Sequence, residues 1–256
     1  MFCLYDPGRT RFDWCFRFLG TEGRVHPFFW LSTLLLGGDQ ANPWFTIYWV
    51  AIVFVSILIH EFGHVLAMRL AGDRGHIVLW GFGGLAISDK NNYRRYCLTD
   101  VAVCAAGPAA GLLLAIIVAA VATAAGGSSR FAFSSIVIPT WYMDLASLKL
   151  VTSNPRAYHH AHFIANNLLY VNFFWSLLNL LPLFPLDGGQ ITRAILEQRD
   201  PQMGRLRSLQ VSIAAAVLFT GLACLSGRMS MMYLFAFCAI SSLQAAQDAG
   251  RVRRRY

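Results

Sequence analysis

The chain has 256 residues and a formal net charge of +8, yet only 13% of its residues are charged and 56% are hydrophobic. Charged residues make up about a quarter of an ordinary soluble domain, so this composition excludes a well-solvated globule and favours an integral membrane protein. The positive charge is not gathered with aromatic residues on one amphipathic element, which argues against a nucleic-acid groove; it lies between apolar runs, where orientation in a bilayer is decided.

Residues 1–24 carry Asp6, Arg9, Arg11, Asp13, Arg17 and Glu22 scattered through them. That pattern does not fit a secretory signal peptide, and the segment is expected to be retained in the cytoplasm. Six apolar segments follow, at 27–36, 44–71, 97–125, 163–184, 209–225 and 229–246. The first is short, because crossing ~30 Å of hydrocarbon takes about 20 helical residues; it starts earlier, near Gly23, or is tilted. With the N-terminus inside, 17 of the 21 Lys and Arg fall in the inside stretches. By the positive-inside rule both termini are cytoplasmic.

Two connections are more than linkers. Residues 75–88, GHIVLWGFGGLAIS, mix β-branched, aromatic and glycine residues and read as a strand or hairpin at the cytoplasmic interface. Residues 126–162 form an outer loop with no clear period, with room for an interfacial helix around 142–150. The fold class expected is an all-α polytopic membrane protein, with about six transmembrane helices and this short β element. The six cysteines show no C-x2-C or C-x4-C spacing and read as small buried hydrophobes.

The second segment holds Ile59-His60-Glu61-Phe62-Gly63-His64. Residues i and i+4 share a helix face, so His60 and His64 can reach one metal ion, with Glu61 placed to take a proton from water. This is the H-E-x-x-H zincin spacing. Two imidazoles and a carboxylate inside an apolar helix are costly, about 2.5–3.5 kcal/mol for an acid on insertion scales, and so point to function. A catalytic zinc needs three protein ligands and an open position. The fourth segment ends Asn179-Leu-Leu-Pro182-Leu-Phe-Pro185-Leu-Asp187-Gly188-Gly189. Its prolines break a helix, its glycines free the backbone, and Asp187 at an unwound end could turn towards the metal or sit in the cytoplasmic interface.

Together the two motifs resemble the site-2 protease family of intramembrane zinc metalloproteases. Val25-His26-Pro27, Gly81-Phe82-Gly83-Gly84 and Gly107-Pro108 extend the likeness, which covers most of residues 25–189 in a compact form without a PDZ or CBS domain. The resemblance implies one zinc per chain held by His60, His64 and Asp187, with Glu61 as general base and acid. It makes Asn179, and Gly83 and Gly84 on the glycine-rich strand, the expected substrate-binding residues. It implies hydrolysis of peptide bonds within transmembrane segments of single-span proteins, in a bilayer that is expected to be the bacterial inner membrane.

The organisation expected is then a cytoplasmic segment 1–24, a metalloprotease core 25–189 and a cytoplasmic connector 190–208. Two C-terminal helices at 209–247 and a basic tail 248–256 complete it. The family often has Asn or Ser three residues after the Gly-Pro proline, where this chain has Gly111; Gly107 and Gly111 instead make a small-xxx-small pair for close helix packing. The His159, His160 and His162 cluster reads as solvated interfacial histidines, and His26 and His76 as structural. A metal-ion transporter or sensor would need ionisable residues continuing along a path, and the spans offer few. An inactive scaffold sits poorly with the complete His-Glu-His-Asp set.

Overall fold

The computed structural model describes residues 8–37, 42–81, 83–89, 97–135, 138–145 and 154–253. Two antiparallel strands open the chain, β1 (Trp14–Phe18) and β2 (Thr21–Val25), followed by the short helix α1 (Pro27–Gly37) and the long helix α2 (Pro43–Leu70). A hairpin follows, β3 (Gly75–Trp80) and β4 (Gly83–Ser88), and then α3 (Cys97–Ala124). A second hairpin, β5 (Ser128–Ser135) and β6 (Ile138–Asp144), precedes α4 (Pro155–Asn179), α5 (Asp187–Arg199), α6 (Gly204–Leu225) and α7 (Met229–Arg253).

Three of these helices, α2, α3 and α6, are long and apolar enough to cross a membrane. The protein is therefore a mostly helical integral membrane protein, but six independent spans are not seen among the described residues. At 25 residues α4 and α7 have the length; α4 carries three histidines and four asparagines, which lower its hydropathy. Apolar side chains such as Val55, Leu66, Leu113, Ile116, Val217 and Ile240 face outward, while polar ones turn in. Asn172 on α4 donates to Ser56 on α2 at 2.8 Å, both buried, the kind of interhelical bond that ties membrane helices together.

Helix α2 is punctuated by its sequence. Asn42 caps it by accepting from the Trp44 N–H at 3.0 Å, and Pro43 occupies the first turn, where a missing N–H costs nothing. It stops at Ala71 before Gly72, whose φ of +78° suits glycine.

The β element is larger than the 75–88 hairpin expected. β2 pairs in parallel with β3, so β1 and β2, inside the stretch read as a cytoplasmic N-terminal segment, complete a four-stranded sheet of order β1-β2-β3-β4. This sheet explains the short first helix. The His26 N–H donates to the Leu79 carbonyl at 2.9 Å, Leu79 pairs with Gly84, and Gly84 packs on Glu61, nine residues before the end of α2. At ~1.5 Å per residue the chain has already climbed roughly 13 Å along α2 when α1 begins. Eleven residues, about 16 Å, then carry α1 up to Gly37 against the Trp49 ring. The earlier start near Gly23 is not helix but strand.

Two further expectations are corrected. Residues 142–144 of the expected interfacial helix belong to β6, and 146–153 lie outside the described residues. Asn166 on α4 explains why a strand settles there: its side-chain amide donates to the Met143 carbonyl at 3.0 Å and accepts from the Met143 N–H at 2.8 Å, as a neighbouring strand would. The fourth segment is helical over Pro155–Asn179 rather than to 184; Leu180 to Leu186 form the turn that Pro182 and Pro185 demand.

Candidate metal centre

His60 and His64 stand one turn apart on α2, and Asp187 is the first residue of α5. The His60 Nε2 and His64 Nε2 atoms are 3.1 Å apart. Asp187 Oδ2 is 3.1 Å from His60 Nε2, and Oδ1 is 3.4 Å from His64 Nε2. Among the described residues this is the group of His, Cys, Asp and Glu side chains whose ligand atoms gather closely enough for a metal.

The donor set fits zinc. With ligand bonds of ~2.0–2.2 Å, a tetrahedral ion separates its ligands by roughly 3.3–3.5 Å, close to the three separations seen. The Nδ1–H of His64 donates to the Val103 carbonyl of α3 at 2.7 Å, which leaves its Nε2 lone pair bare and aimed inward. Asp187 Oδ2 is buried, and its 3.1 Å approach to His60 Nε2 falls outside hydrogen-bond geometry, a costly state unless an ion compensates. An acidic first residue also suits the positive end of α5.

The turn that delivers Asp187 depends on absent side chains. A Cβ at Gly188 would overlap the Leu180 and Leu181 carbonyls, and one at Gly189 would come within 2.6 Å of the Leu183 carbonyl carbon and the Phe184 nitrogen. These glycines are required for close packing inside the first turn of α5, not for the free backbone anticipated. Gly107 on α3 does the same for the histidines, since a Cβ there would lie 2.8 Å from His60 Nε2 and closer still to His64 Nε2. Gly63 meets the Ala106 carbonyl with equal intimacy, so α2 and α3 cross at glycines on both sides. Gly111 opens onto the Ser176 hydroxyl of α4.

Glu61 is 5% exposed. It lies against Gly84 and accepts a hydrogen bond from the Ala86 N–H of β4, the terminal strand of the sheet. The structure thus brings the edge strand to the acid beside the candidate ligands. Gly84 is in this contact; Gly83 has nothing within 4 Å of its Cβ position, and Phe82 lies outside the described residues. Asn179 is the last residue of α4, half-buried at the entrance to the Asp187 turn.

The backbone groups of Val103 and Ala86 carry no side-chain signature and had no signal in the sequence. The outer histidines do not assemble. His159 meets the Tyr158 ring edge-on and His162 lies tilted against it, whereas His160 packs on Phe45 and Tyr48. His26 accepts the Phe28 N–H at the start of α1, and His76 pairs with Asp89 at 2.9 Å.

The family model described as Peptidase family M50 matches residues 48–223. A zinc metalloprotease of Methanocaldococcus jannaschii is 24% identical over 242 residues, 93% of this chain. Relatives from Mycobacterium tuberculosis and a Synechocystis strain are 27% and 28% identical over 179 and 178 residues. The chain spans 60% of the length of the first and 38% of each of the other two. A solved structure, the site-2 protease from Methanocaldococcus jannaschii, superposes with a TM-score of 0.55 at 21% identity. The match covers 92% of this chain and 95% of that one, so the two share a fold.

Proposed function

Because the chain belongs to peptidase family M50, we propose that it is a zinc metalloendopeptidase that cuts peptide bonds within transmembrane segments of single-span membrane proteins. The observation that carries this reading is the convergence of His60, His64 and Asp187 from two helices, with Glu61 beside them under an edge strand. His60, His64 and Asp187 hold the ion, one per chain. When bound, zinc supplies a Lewis acid and makes hydroxide available near neutral pH.

The chain's own groups do the rest. Glu61 takes the proton of the attacking water and returns it to the leaving amide nitrogen. The Ala86 N–H orients its carboxylate, and burial keeps bulk water from competing. A transmembrane helix exposes no backbone amides, so a substrate must unwind before attack. β4 offers it an edge to pair with, by strand addition, and Gly83 and Gly84 let the substrate backbone approach closely. Asn179, at the mouth of the Asp187 turn, binds the substrate or the developing oxyanion.

In this reading both termini are cytoplasmic, the bilayer is a bacterial inner membrane, and residues 25–189 form the catalytic core. His64 and His60 lie 6 and 10 residues before the end of α2, about 9–15 Å from that end, so cleavage falls in the inner half of the substrate helix. The test is co-expression of wild type and Glu61→Gln with a panel of single-span proteins, with sequencing of new termini. Fragments that depend on Glu61 and begin in the inner half are expected. Cuts confined to the outer half, or fragments unchanged by Glu61→Gln, refute the mechanism.

A further inference from the structure

The hairpin that carries the edge strand is held at three heights. At its base the Ser88 hydroxyl donates to Asp73 at 2.6 Å, and the Asp89 N–H donates to the Arg74 carbonyl at 2.8 Å. Midway the Ala86 N–H reaches Glu61. At its tip the Ser32 hydroxyl of α1 donates to the Gly81 carbonyl. Ser32 is 1% exposed, and no step of the hydrolysis uses it.

Ser32 has one proton and two carbonyls in reach, Phe29 at 2.9 Å on its own helix and Gly81 on the hairpin. The Phe29 carbonyl already accepts from the Thr33 hydroxyl at 2.8 Å. Gly81 is buried, and its carbonyl accepts from no other group among the described residues. Ser32 lies five residues into α1, about 8 Å beyond its start, at a depth where no water stands in for a missing donor. The proton is therefore needed at Gly81, because a buried carbonyl without a donor is costly. Beyond the turn, β4 has little to hold it. Gly83 has nothing within 4 Å of its Cβ position, Gly84 rests on Glu61, and glycine has the freest backbone. On β3 the Trp80 ring lies against His26 and Phe28, an anchor to α1 that the glycine half of β4 lacks. α1 is in turn fixed to α2, where Trp49 Nε1 donates to the Thr33 carbonyl at 3.1 Å.

We propose that Ser32 is a positioning residue for the hydrolysis: its hydroxyl latches the hairpin tip, so that Gly83 and Gly84 present a fixed edge to the unwound substrate. This role rests on the reading of β4 as the strand a substrate joins, and it acts on substrate capture rather than on the metal or Glu61. A pre-formed edge spares the substrate the cost of ordering the strand it meets.

The test compares Ser32→Ala, Ser32→Thr and Thr33→Ala with wild type, each as the full chain in detergent. Cleavage of a single-span substrate gives KM and kcat, and hydrogen exchange of the β4 amides reports on the tip without any cleavage. Ser32→Ala should raise KM about ten-fold, the worth of ordering roughly one backbone residue, and its β4 amides should exchange faster. Its kcat and zinc content should stay near wild type, because the edge contact is made equally in the ground and transition states. Ser32→Thr keeps the hydroxyl and should restore both readouts. Thr33→Ala removes a buried hydroxyl that serves only its own helix and should leave KM and exchange unaltered. Wild-type exchange in Ser32→Ala, or equal changes in Thr33→Ala, would overturn the latch and leave the endopeptidase reading standing. Faster exchange with an unchanged KM would overturn the role in substrate capture. A wild type that cuts none of a panel of single-span proteins would sink the endopeptidase reading, and the role of Ser32 with it.

Discussion

Gly107→Ala is the sharpest perturbation of the proposed metal centre that touches none of the proposed ligands. The added methyl would sit 2.8 Å from His60 Nε2 and closer to His64 Nε2, at separations real Cβ atoms essentially never show. Neither neighbour can yield easily. His64 is pinned by its 2.7 Å bond to Val103 on the same helix as the new methyl, and α2 cannot slide because Gly63 already abuts the Ala106 carbonyl. Overpacking of this kind costs about 1–3 kcal/mol. The usual helical gain of ~1 kcal/mol for Gly→Ala is offset because Pro108 disfavours helical backbone at a residue bearing a Cβ. Displaced imidazoles should weaken zinc binding by ~10–100-fold, the range seen when groups that orient ligands are lost. The assay is zinc competition against a chelator, alongside thermal unfolding of the metal-free protein. Gly221→Ala on α6, where nothing lies within 4 Å, is the control and should keep wild-type affinity. Wild-type zinc affinity in Gly107→Ala would refute the argument that this glycine makes room for the ligands.

Alanine at His60, His64 or Asp187 removes a full ligand and should bring zinc content well below one per chain by elemental analysis; full occupancy in Asp187→Ala would remove the aspartate from the ligand set. Asn172→Ala breaks the bond to Ser56 and should lower stability by about 0.6–1.7 kcal/mol, the range for interhelical bonds in membranes, read as unfolding in detergent. Burial pushes the Asp13 carboxyl up, but hydrogen bonds from Thr10 and Arg24 outweigh it and hold it at about 2. A depressed carboxylate contributes stability above its unfolded value near 3.8, and that contribution is lost as pH falls through about 2. Asp13→Asn should therefore flatten the acid limb of stability between pH 4 and 2, and an unchanged limb would show that the 2.6 Å pair with Arg24 contributes nothing.

The cluster of His60, His64 and Asp187 was legible in the sequence because it is carried by side chains at fixed spacing. His60 and His64 are one turn apart on any helix, and the prolines at 182 and 185 announce the break before Asp187. The sheet was not legible in the same way. β2 earns its place through Gly23, Arg24 and Val25 pairing with Ile77, Val78 and Leu79, more than fifty residues away, and no local pattern in WCFRFLGTEGRV encodes that partner. β6 is held by an asparagine in the middle of α4, which in the sequence reads only as a polar residue in a span. Gly107 was recognisable as a close-packing glycine, but whether a missing side chain admits a helix or a ligand depends on what the neighbouring helix points at it.

The half-height start of α1 bears on how the protein is made. Eleven residues are too short for a translocation channel to recognise as a span, so α2 is the first segment able to halt the chain in the bilayer. α1 reaches its depth only because β2 is held there by β3, and β3 is synthesised after α2. The strands β1 and β2 and helix α1, ending at Gly37, must therefore wait for the hairpin and settle afterwards, as a late step of assembly rather than an insertion event. Reporter fusions placed after Gly37 in truncated chains will then describe an intermediate of biogenesis, and the side of the membrane they report need not be the side that residue occupies in the finished protein.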